Sequence, residues 1–442
     1  MKQKIFDLFK DKEIYLVGGA VRDILLSKES NDLDFATNSL PAQTKAILEA
    51  AGYKTHDVGW AFGTVGFVFD GYEIHVTTYR KNEHYVRDNR NPVVEWGKTI
   101  TEDLTRRDFT INAIAVDRNG DYLDLFHGGE HLAQKLLETP INANEAFSDD
   151  PLRMLRAIRF KARLNFQYSE NIKKALYAQA FRLMILPRER VQDEFNKILL
   201  SDNAKEALLD LYNYKLFNYF LPELIVLGNI EQESEFHHKN VFLHSVDVVA
   251  NSPMNIVSRY AALLHDLGKP FTKTEENGKV HFYRHEELSA FLCGSLLNRL
   301  GLPKKWIEDI RFIVRNHMRA NLYDSTWSDT AIRRFMREMG TNLDLVLEMS
   351  KADITSHRAE TVRIKLAELQ ELKDRIDTLS SYREVISPLD GNKIMQEFDL
   401  KPTKEVGMIK DLLVNALVEG KIKQNEEKQV YIEYVKNNWR VV

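Results

Sequence analysis

Near the start of the chain Gly18-Gly19 is followed by Arg22, and the stretch Asn31-Asp-Leu-Asp-Phe35 then carries Asp32 and Asp34. This combination suits phosphate chemistry. Residues without a Cβ let the backbone approach an anion closely, and the free N–H groups of the turn can cradle it. The next residues, Ala20 to Ser27, read as a helix whose N-terminus faces the same anion. Arg22 adds a planar donor fork. Asp32 and Asp34 stand two apart on a short strand and therefore share a face, where hard carboxylate oxygens beside a phosphate cradle suit Mg²⁺. A lone Gly-Gly turn or a lone D-x-D pair is commonplace. Apolar strand, Gly-Gly, Arg, helix and D-x-D strand in close succession are a far more specific signal.

Further along, Arg106 and Arg107 precede the apolar run Phe109–Ala115. They are either guanidinium groups placed where the chain re-enters the core or a surface cluster around a helix end. Asp149-Asp150-Pro151 opens a helix with Arg153, Arg156 and Arg159 at three-residue spacing, hence on one face. The two acids sit at the positive end of that helix dipole. A solvated amphipathic helix is the ordinary reading, but three regular arginines with few acids to pair them fit anion binding better. In the second half His244, His265-Asp266, His285, His317 and Asp353 recur at long intervals. Imidazoles and carboxylates together bind divalent metals, although a single histidine on an apolar face is usually a satisfied core residue.

The elements that must position these groups are legible in outline. Ile14–Val17 reads as a buried strand. Pro41–Ala51 is a helix closed by Gly52, and Thr64–Phe69 with Tyr72–Thr78 is a hairpin about Asp70-Gly71. Glu73, His75 and Thr77 share one strand face, which is either exposed surface or a source of a third metal ligand. Arg80 to Thr101 is polar, contains Pro92 and reads as a long loop of the kind that carries function. After Asp149 the pattern is helical, with another helix from Arg188 to Leu200. The chain has 442 residues, enough for two to four domains, and 44% hydrophobic content gives it a core. Its net charge of −4 makes no global case for a nucleic-acid partner, which must be met by local basic patches. The one cysteine, Cys293, excludes an internal disulfide and fits a reducing cytoplasm. No signal-peptide core and no membrane-spanning apolar run is found.

The segments LVGGAVRD…NDLDF, EDLTRRDFTINAIA, Gly128-Gly129, DDPLRMLRAIRF and ERVQDEFNKIL occur in the order and spacing of the class II CCA-adding enzymes of bacteria, the class that includes poly(A) polymerases, and the chain resembles that family. Three positions depart from its pattern. Asp149-Asp150 stands where Glu-Asp is usual, and Ala146 and Glu138 stand where arginine is frequent. The series H…HD…H…H…D is in turn similar to the ligand pattern of HD-superfamily phosphohydrolases.

The resemblance implies an α+β protein. A nucleotidyltransferase head with a mixed β-sheet and helices (1–140) is followed by an all-α neck and body (141–225), an all-α HD domain (226–370) and a helical tail (371–442). It implies addition of CMP, CMP and AMP to tRNA from CTP and ATP. Asp32 and Asp34 would hold Mg²⁺, and Gly18, Gly19, Arg22 and Arg107 would bind the triphosphate. Asp150 and Arg153, with Arg156 and Arg159 beyond them, would handle the nucleotide. The HD domain would hold a divalent metal on His244, His265, Asp266, His285, His317 and Asp353, with phosphatase and 2′,3′-cyclic phosphodiesterase activity. The body and tail would grip tRNA. The length of the Arg80–Thr101 segment argues against a CC-adding relative, while A-adding and poly(A)-adding relatives remain alternatives. A protein that is mainly an HD hydrolase is disfavoured by intact Asp32, Asp34 and Arg107. A non-catalytic RNA binder is disfavoured by two complete metal constellations.

Overall fold

The computed structural model describes residues 2–29, 32–57, 59–84, 93–230, 240–277, 279–355, 359–380, 387–418 and 420–439. The chain forms two compact units, Met1–Ile225 with Arg299–Gly301, and Val226–Asn298 with Leu302–Val442.

The first unit begins as a mixed sheet. Its strands are β1 (Ile14–Val17), β2 (Asp32–Thr37), β3 (Thr55–His56), β4 (Thr64–Phe69), β5 (Tyr72–Thr78), β8 (Ile114–Val116) and β9 (Tyr122–Asp124), in the order β3-β4-β5-β2-β1-β8-β9. Only β2 and β5 run parallel; the other pairings are antiparallel. Ile14, Leu16, Val17, Phe35, Ile74 and Val76 are buried, which fixes the register, because a slip of one residue would turn every side chain to the other face. In that register Asp34 lies opposite Val17, the residue before Gly18, and beside His75 on β5. The Asp70-Gly71 turn takes positive φ at both residues (+48° and +82°), the conformation that suits a tight hairpin.

The segment Arg80–Thr101 is more ordered than its polarity suggests. Arg80–His84 (β6) pairs with Val93–Trp96 (β7), with a register shift between Arg80 and Asn82. Residues 85–92 lie outside the described residues. The period-2 apolar signal is missing because the hairpin is held through Trp96. A Cβ on Gly63, at φ +81°, would come within 2.4 Å of the Trp96 ring, so that ring packs where only glycine leaves room.

The rest of this unit is mainly helical and includes α1 (Gly19–Leu25) and α2 (Ile100–Thr105) in the head, then α3 (Ala143–Asp149), α4 (Leu152–Leu164), α5 (Glu170–Gln179) and α6 (Arg188–Leu199). In α4, Leu152, Met154, Leu155, Ile158 and Phe160 are buried, leaving the arginines on the remaining face. In the second unit α7 (Val241–Asn251), α8 (Ile256–Leu264), α9 (His285–Leu300), α10 (Lys304–Asn316) and α11 (Leu343–Asp353) include the histidine-bearing helices, and α8 packs against α7, α10 and α11. Helices Gly391–Phe398, Lys404–Val418 and Lys428–Asn438 form a small core of their own around Ile394, Ile409, Leu413, Tyr431 and Val435. The mixed-sheet head followed by helical segments is the architecture expected from the sequence. No helix among the described residues is long and apolar enough to cross a membrane.

Candidate active site

A cleft of about 450 Å³ in the first unit is lined by Gly18, Gly19, Arg22, Asp34, Arg107, Asp150, Arg153 and Arg156, and also by Arg80, Lys81, Arg106, Asp108, Asn112 and Arg190. Gly18 adopts φ +73°, and a Cβ there would stand 3.1 Å from Arg107 Nη1 and 3.8 Å from Asp34 Oδ2. Any side chain at this turn would therefore fill the space between the arginine and the carboxylate. The Asp34 carboxylate is half-exposed, with Oδ1 3.6 Å from His75 Nδ1. Asp32 opens β2 opposite Glu73; its side chain lies outside the described residues.

The arginines are held by buried acids. A capping box starts α2: Thr99 Oγ1 accepts from the Glu102 N–H at 3.3 Å, and Glu102 accepts from the Thr99 N–H at 3.3 Å and the Lys98 N–H at 2.6 Å. That start turns Ile100, Asp103 and Leu104 inward. The Asp103 side chain is 1% exposed and accepts from Arg107 Nη2 at 2.9 Å, from Arg106 Nη2 at 3.0 Å and from the Arg80 N–H at 3.1 Å. Burial alone would raise its pKa, but Arg107, Arg106 and Arg80 together bring it down to about 2. A single carboxylate thus fixes two cleft arginines and the root of the β6–β7 hairpin.

A second chain of contacts runs from the head into α4 and α6. Arg22 donates to Asp23 and, at 2.8 Å, to Asn112 Oδ1. Asn112 Nδ2 donates to Asp108 at 3.0 Å, and Arg156 Nε donates to the same carboxylate at 2.8 Å. Burial opposes ionisation of Asp108, but Arg156 and Asn112 outweigh it and hold the carboxyl well below the usual carboxylate range. Arg159 donates to Glu194 at 2.7 Å and lies against the Phe160 ring. The expectation of few acids for the arginine face is therefore corrected. Asp108 and Glu194, 48 and 35 residues away, supply them. Arg153 and Arg156 face the cleft, whereas Arg159 is not among its lining residues.

Asp150 sits between α3 and α4 with its two oxygens divided. Oδ1 accepts from the Leu152 N–H at 3.1 Å, a cap on α4, and Oδ2 accepts from Arg190 at 3.1 Å. Arg153 donates to the Ala146 carbonyl at 3.2 Å and to the Arg106 carbonyl. Asp150 and Arg153 thus line one cleft, each oriented by a partner other than the other. Sequence reasoning missed Asp103, Asp108, Asn112, Arg190 and Glu194. A signal existed for Asp103, which stands three and four residues before Arg106 and Arg107. Nothing local points to the others.

In the second unit the six expected residues converge. His244 Nε2 lies 3.2 Å from His265 Nε2 and 2.9 Å from Asp353 Oδ1, which is also 3.4 Å from His265 Nε2. Asp266 reaches His265 Nε2 at 3.1 Å and His285 Nε2 at 3.3 Å. The His317 ring is 5.0 Å from that of His265 and 5.4 Å from that of His285. The far nitrogens are pinned: Nδ1 of His265, His285 and His317 meets the carbonyls of Ala262, Phe282 and Val314 at 2.7–2.8 Å, and His244 Nδ1 meets the Thr355 hydroxyl at 2.9 Å. A carbonyl only accepts, so Nδ1 carries the hydrogen and the neutral ring turns its Nε2 lone pair to the centre. Converging lone pairs and carboxylates about 3 Å apart match adjacent ligands around one cation with metal–ligand bonds near 2 Å. Ligand atoms of His244, His265 and Asp353, and of His265, Asp266 and His317, fall within 4.8 Å of one another. Burial works against charging His265, but Asp266 and Asp353 prevail and raise it to about 10, so its Nε2 holds a proton that a bound cation would displace, while burial and His265 push His317 down to about 4.

A glycine turn, an adjacent strand carboxylate and guanidinium groups around one cleft on a mixed sheet define a nucleotidyltransferase. Residues 14–138 match the Poly A polymerase head domain, 165–227 the probable RNA and SrmB-binding site of polymerase A, and 244–376 the HD domain. The CCA-adding enzyme of Anoxybacillus flavithermus is 41% identical over 299 residues, 68% of each chain. That of Streptococcus thermophilus is 28% identical over 417 residues, 94% of this chain and 91% of its own. The crystal structure of the Bacillus stearothermophilus CCA-adding enzyme in complex with CTP matches with a TM-score of 0.68 at 25% identity, over 99% of this chain and 96% of that one. The chain belongs to the CCA-adding enzyme family.

Asp103 offers a direct test of the arginine anchor. Its folded-state pKa lies below the ordinary carboxylate value of 3.8, so its ionised form stabilises the fold above that value and loses this effect as pH falls through about 2. The difference corresponds to about 2 kcal/mol. Asp103→Asn should therefore unfold at lower urea than wild type at pH 7, and the gap should narrow between pH 4 and pH 2. A gap that is constant with pH would show that the carboxylate charge is not what holds the arginines.

Proposed function

We propose that this protein adds CMP, CMP and AMP in turn to the 3′ end of tRNA, using CTP and ATP without a nucleic-acid template. The observation that carries this reading is one cleft with a phosphate cradle and a carboxylate at one wall and Asp150 with Arg153 at another. Residues 1–140 serve as the transferase head, 141–225 as base and RNA recognition, 226–370 as the phosphohydrolase and 371–442 as a tRNA grip. The buried thiol of Cys293 suits the cytoplasm.

The RNA 3′-hydroxyl attacks the α-phosphate of the nucleoside triphosphate, and pyrophosphate leaves. Asp32 and Asp34 are the residues that would hold Mg²⁺. The fit rests on Asp34, whose half-exposed oxygens border the Gly18 turn. A pair of ions bound there supplies activation of the hydroxyl and positive charge for the leaving oxygens. The N–H groups at Gly18 and Gly19 approach the triphosphate, and Arg22 and Arg107 orient it and offset its charge in the transition state. Arg156, also on the cleft wall, adds positive charge.

Asp150 and Arg153 read the base. Cytosine and adenine present an amino donor beside a ring-nitrogen acceptor, complementary to a carboxylate and a guanidinium. Uracil and guanine present the reverse polarity and would leave buried groups unpaired at about 1–3 kcal/mol each. Carbonyl contacts fix Arg153 and Arg190 fixes Asp150, so the pair is oriented before a nucleotide enters. For the HD centre, the converging Nε2 atoms and carboxylates fit a divalent metal. It would supply an activated water for phosphoester hydrolysis, on phosphomonoesters and 2′,3′-cyclic phosphates.

The decisive assay offers tRNA transcripts ending at the discriminator base, after the first C and after the second C, with each nucleotide separately. CMP should enter the first two and AMP the third; AMP entry alone would identify an A-adding or poly(A)-adding relative. In the same assay Asp34→Ala should abolish addition while tRNA binding persists, and near wild-type addition would place the active site elsewhere. Asp150→Ala should lower the CTP:UTP and ATP:GTP ratios in kcat/KM by about ten- to a hundredfold, the value of one charge-assisted contact. Its loss as a helix cap should also lower stability by about 1 kcal/mol; a stability loss with unchanged ratios would reduce Asp150 to a cap.

For the second centre, His265→Ala should remove bound Mn²⁺, Ni²⁺ or Co²⁺ measured by elemental analysis, and remove hydrolysis of 2′,3′-cyclic nucleotides, while CCA addition continues. Wild-type protein that neither retains these metals nor hydrolyses such substrates would refute the assignment.

A further inference from the structure

The two oxygens of Asp34 face different ways. Oδ2 borders the Gly18 turn, whereas Oδ1 lies 3.6 Å from Nδ1 of His75 on the neighbouring strand β5. The second side opens on a separate recess of about 390 Å³, lined by Asp34, Phe62, Thr64, His75 and Thr77. Asp34 and Arg107 line both this recess and the cleft.

The sheet builds a support for the His75 ring. His56 on β3, Gly66 on β4, His75 on β5 and Asp34 on β2 stand in one row across four strands. A Cβ on Gly66 would come within 2.7 Å of His56 Nε2 and 3.3 Å of His75 Cδ2, so the missing side chain makes room for both rings. Glu73, two residues before His75 and so on the same face, reaches both with Oε1, at 3.2 Å from His56 Nε2 and 3.4 Å from His75 Nε2. A carboxylate only accepts, which assigns the His75 hydrogen to Nε2 and turns the Nδ1 lone pair to Asp34. The 3.6 Å between Nδ1 and Asp34 Oδ1 is too long for a hydrogen bond. It fits two ligands of one cation with bonds of about 2.1 Å. A lone pair and a carboxylate oxygen facing each other repel unless positive charge stands between them.

We propose that His75 is a ligand of one of the transferase cations, sharing it with Asp34, and that this nitrogen makes the site favour a first-row transition ion such as Mn²⁺ over Mg²⁺. Mg²⁺ is held by oxygen donors in near-ideal octahedra and gains little from imidazole, whereas Mn²⁺ accepts nitrogen and oxygen together. Of the residues on this strand face, His75 supplies the third ligand, and Glu73 acts through it as a positioning residue. The inference rests on the reading of the cleft as a nucleotidyltransferase site with Asp34 as a metal ligand.

The test uses the full-length protein with a CTP analogue whose α–β bridge is a methylene group. A His265→Ala background keeps the other histidine cluster from contributing. Spin-echo EPR of bound Mn²⁺ should show modulation by a coordinated imidazole nitrogen, and His75→Asp, which replaces that nitrogen by oxygen, should abolish it. With His265 intact, CTP and a tRNA transcript ending at the discriminator base, His75→Asp should lower the ratio of CMP addition rates with Mn²⁺ and with Mg²⁺ about tenfold, and Glu73→Ala should raise the Kd for Mn²⁺ about tenfold. Bound Mn²⁺ without nitrogen modulation, modulation that persists in His75→Asp, or an unchanged ratio of rates would each overturn the proposal and leave His75 an ordinary ion-pair partner of Asp34. Absence of CMP addition by the wild-type protein with either metal would instead overturn the proposed function, so the two failures are distinguishable.

Discussion

The arrangement of the cleft depends on one buried carboxylate, that of Asp103. Two guanidinium groups facing the same anion site repel each other and lose water on burial, a cost that only a shared counter-charge offsets. Asp103 supplies it to Arg106 and Arg107 together and accepts the Arg80 N–H as well. Its position follows from local sequence. The Thr99–Glu102 capping box sets where α2 starts, and the start sets which residues turn inward. Asp103 then lies between buried Ile100 and Leu104, on the face where an apolar residue would be ordinary. The long side chains that line the cleft are thereby immobilised before any ligand arrives, which lowers the entropy cost of binding.

Alternation of acid and base extends this logic across the whole first unit. Asp23, Arg22, Asn112, Asp108, Arg156, Glu194 and Arg159 form a run of contacts from the glycine turn to α6. Buried pairs of this kind contribute little net stability against apolar replacements. What they fix is direction. Arg156 faces the cleft while Arg159, one helical turn on, is turned to Glu194 and stacked on Phe160. The HD centre uses the same device with different groups: backbone carbonyls orient imidazoles, and the imidazoles turn their Nε2 atoms inward.

What could be read from the sequence was whatever is local. Ile14–Val17, the glycine turn, the Asp70-Gly71 hairpin and the arginine helix all follow from short-range pattern, and the structure places them as expected. The histidines and carboxylates of the second unit are recognisable as a set only through their order, H…HD…H…H…D, which resembles a known ligand pattern; each taken alone reads as an ordinary core or surface residue. Pairing at a distance was not. Asp108 and Glu194 look like ordinary surface acids until the fold sets them against α4, and Arg190 gives no hint that it holds Asp150. The β6–β7 hairpin reads as loop in the sequence because it is polar and lacks alternation, and its anchor, Trp96, packs on Gly63 in the turn before β4.

Arg153 donates to the carbonyl of Arg106, and Arg106 shares the Asp103 carboxylate with Arg107. On the proposed reading, the residue that would inspect the base is thus wired through one peptide and one carboxylate to the residue that would aim the phosphate. A base that drags Arg153 from its seat also loosens that relay, so an incorrect nucleotide would be misaligned at its reacting end as well as badly gripped. Fidelity in such a device is expressed as slow chemistry on the wrong letter, with no need for the wrong letter to be kept out of the door.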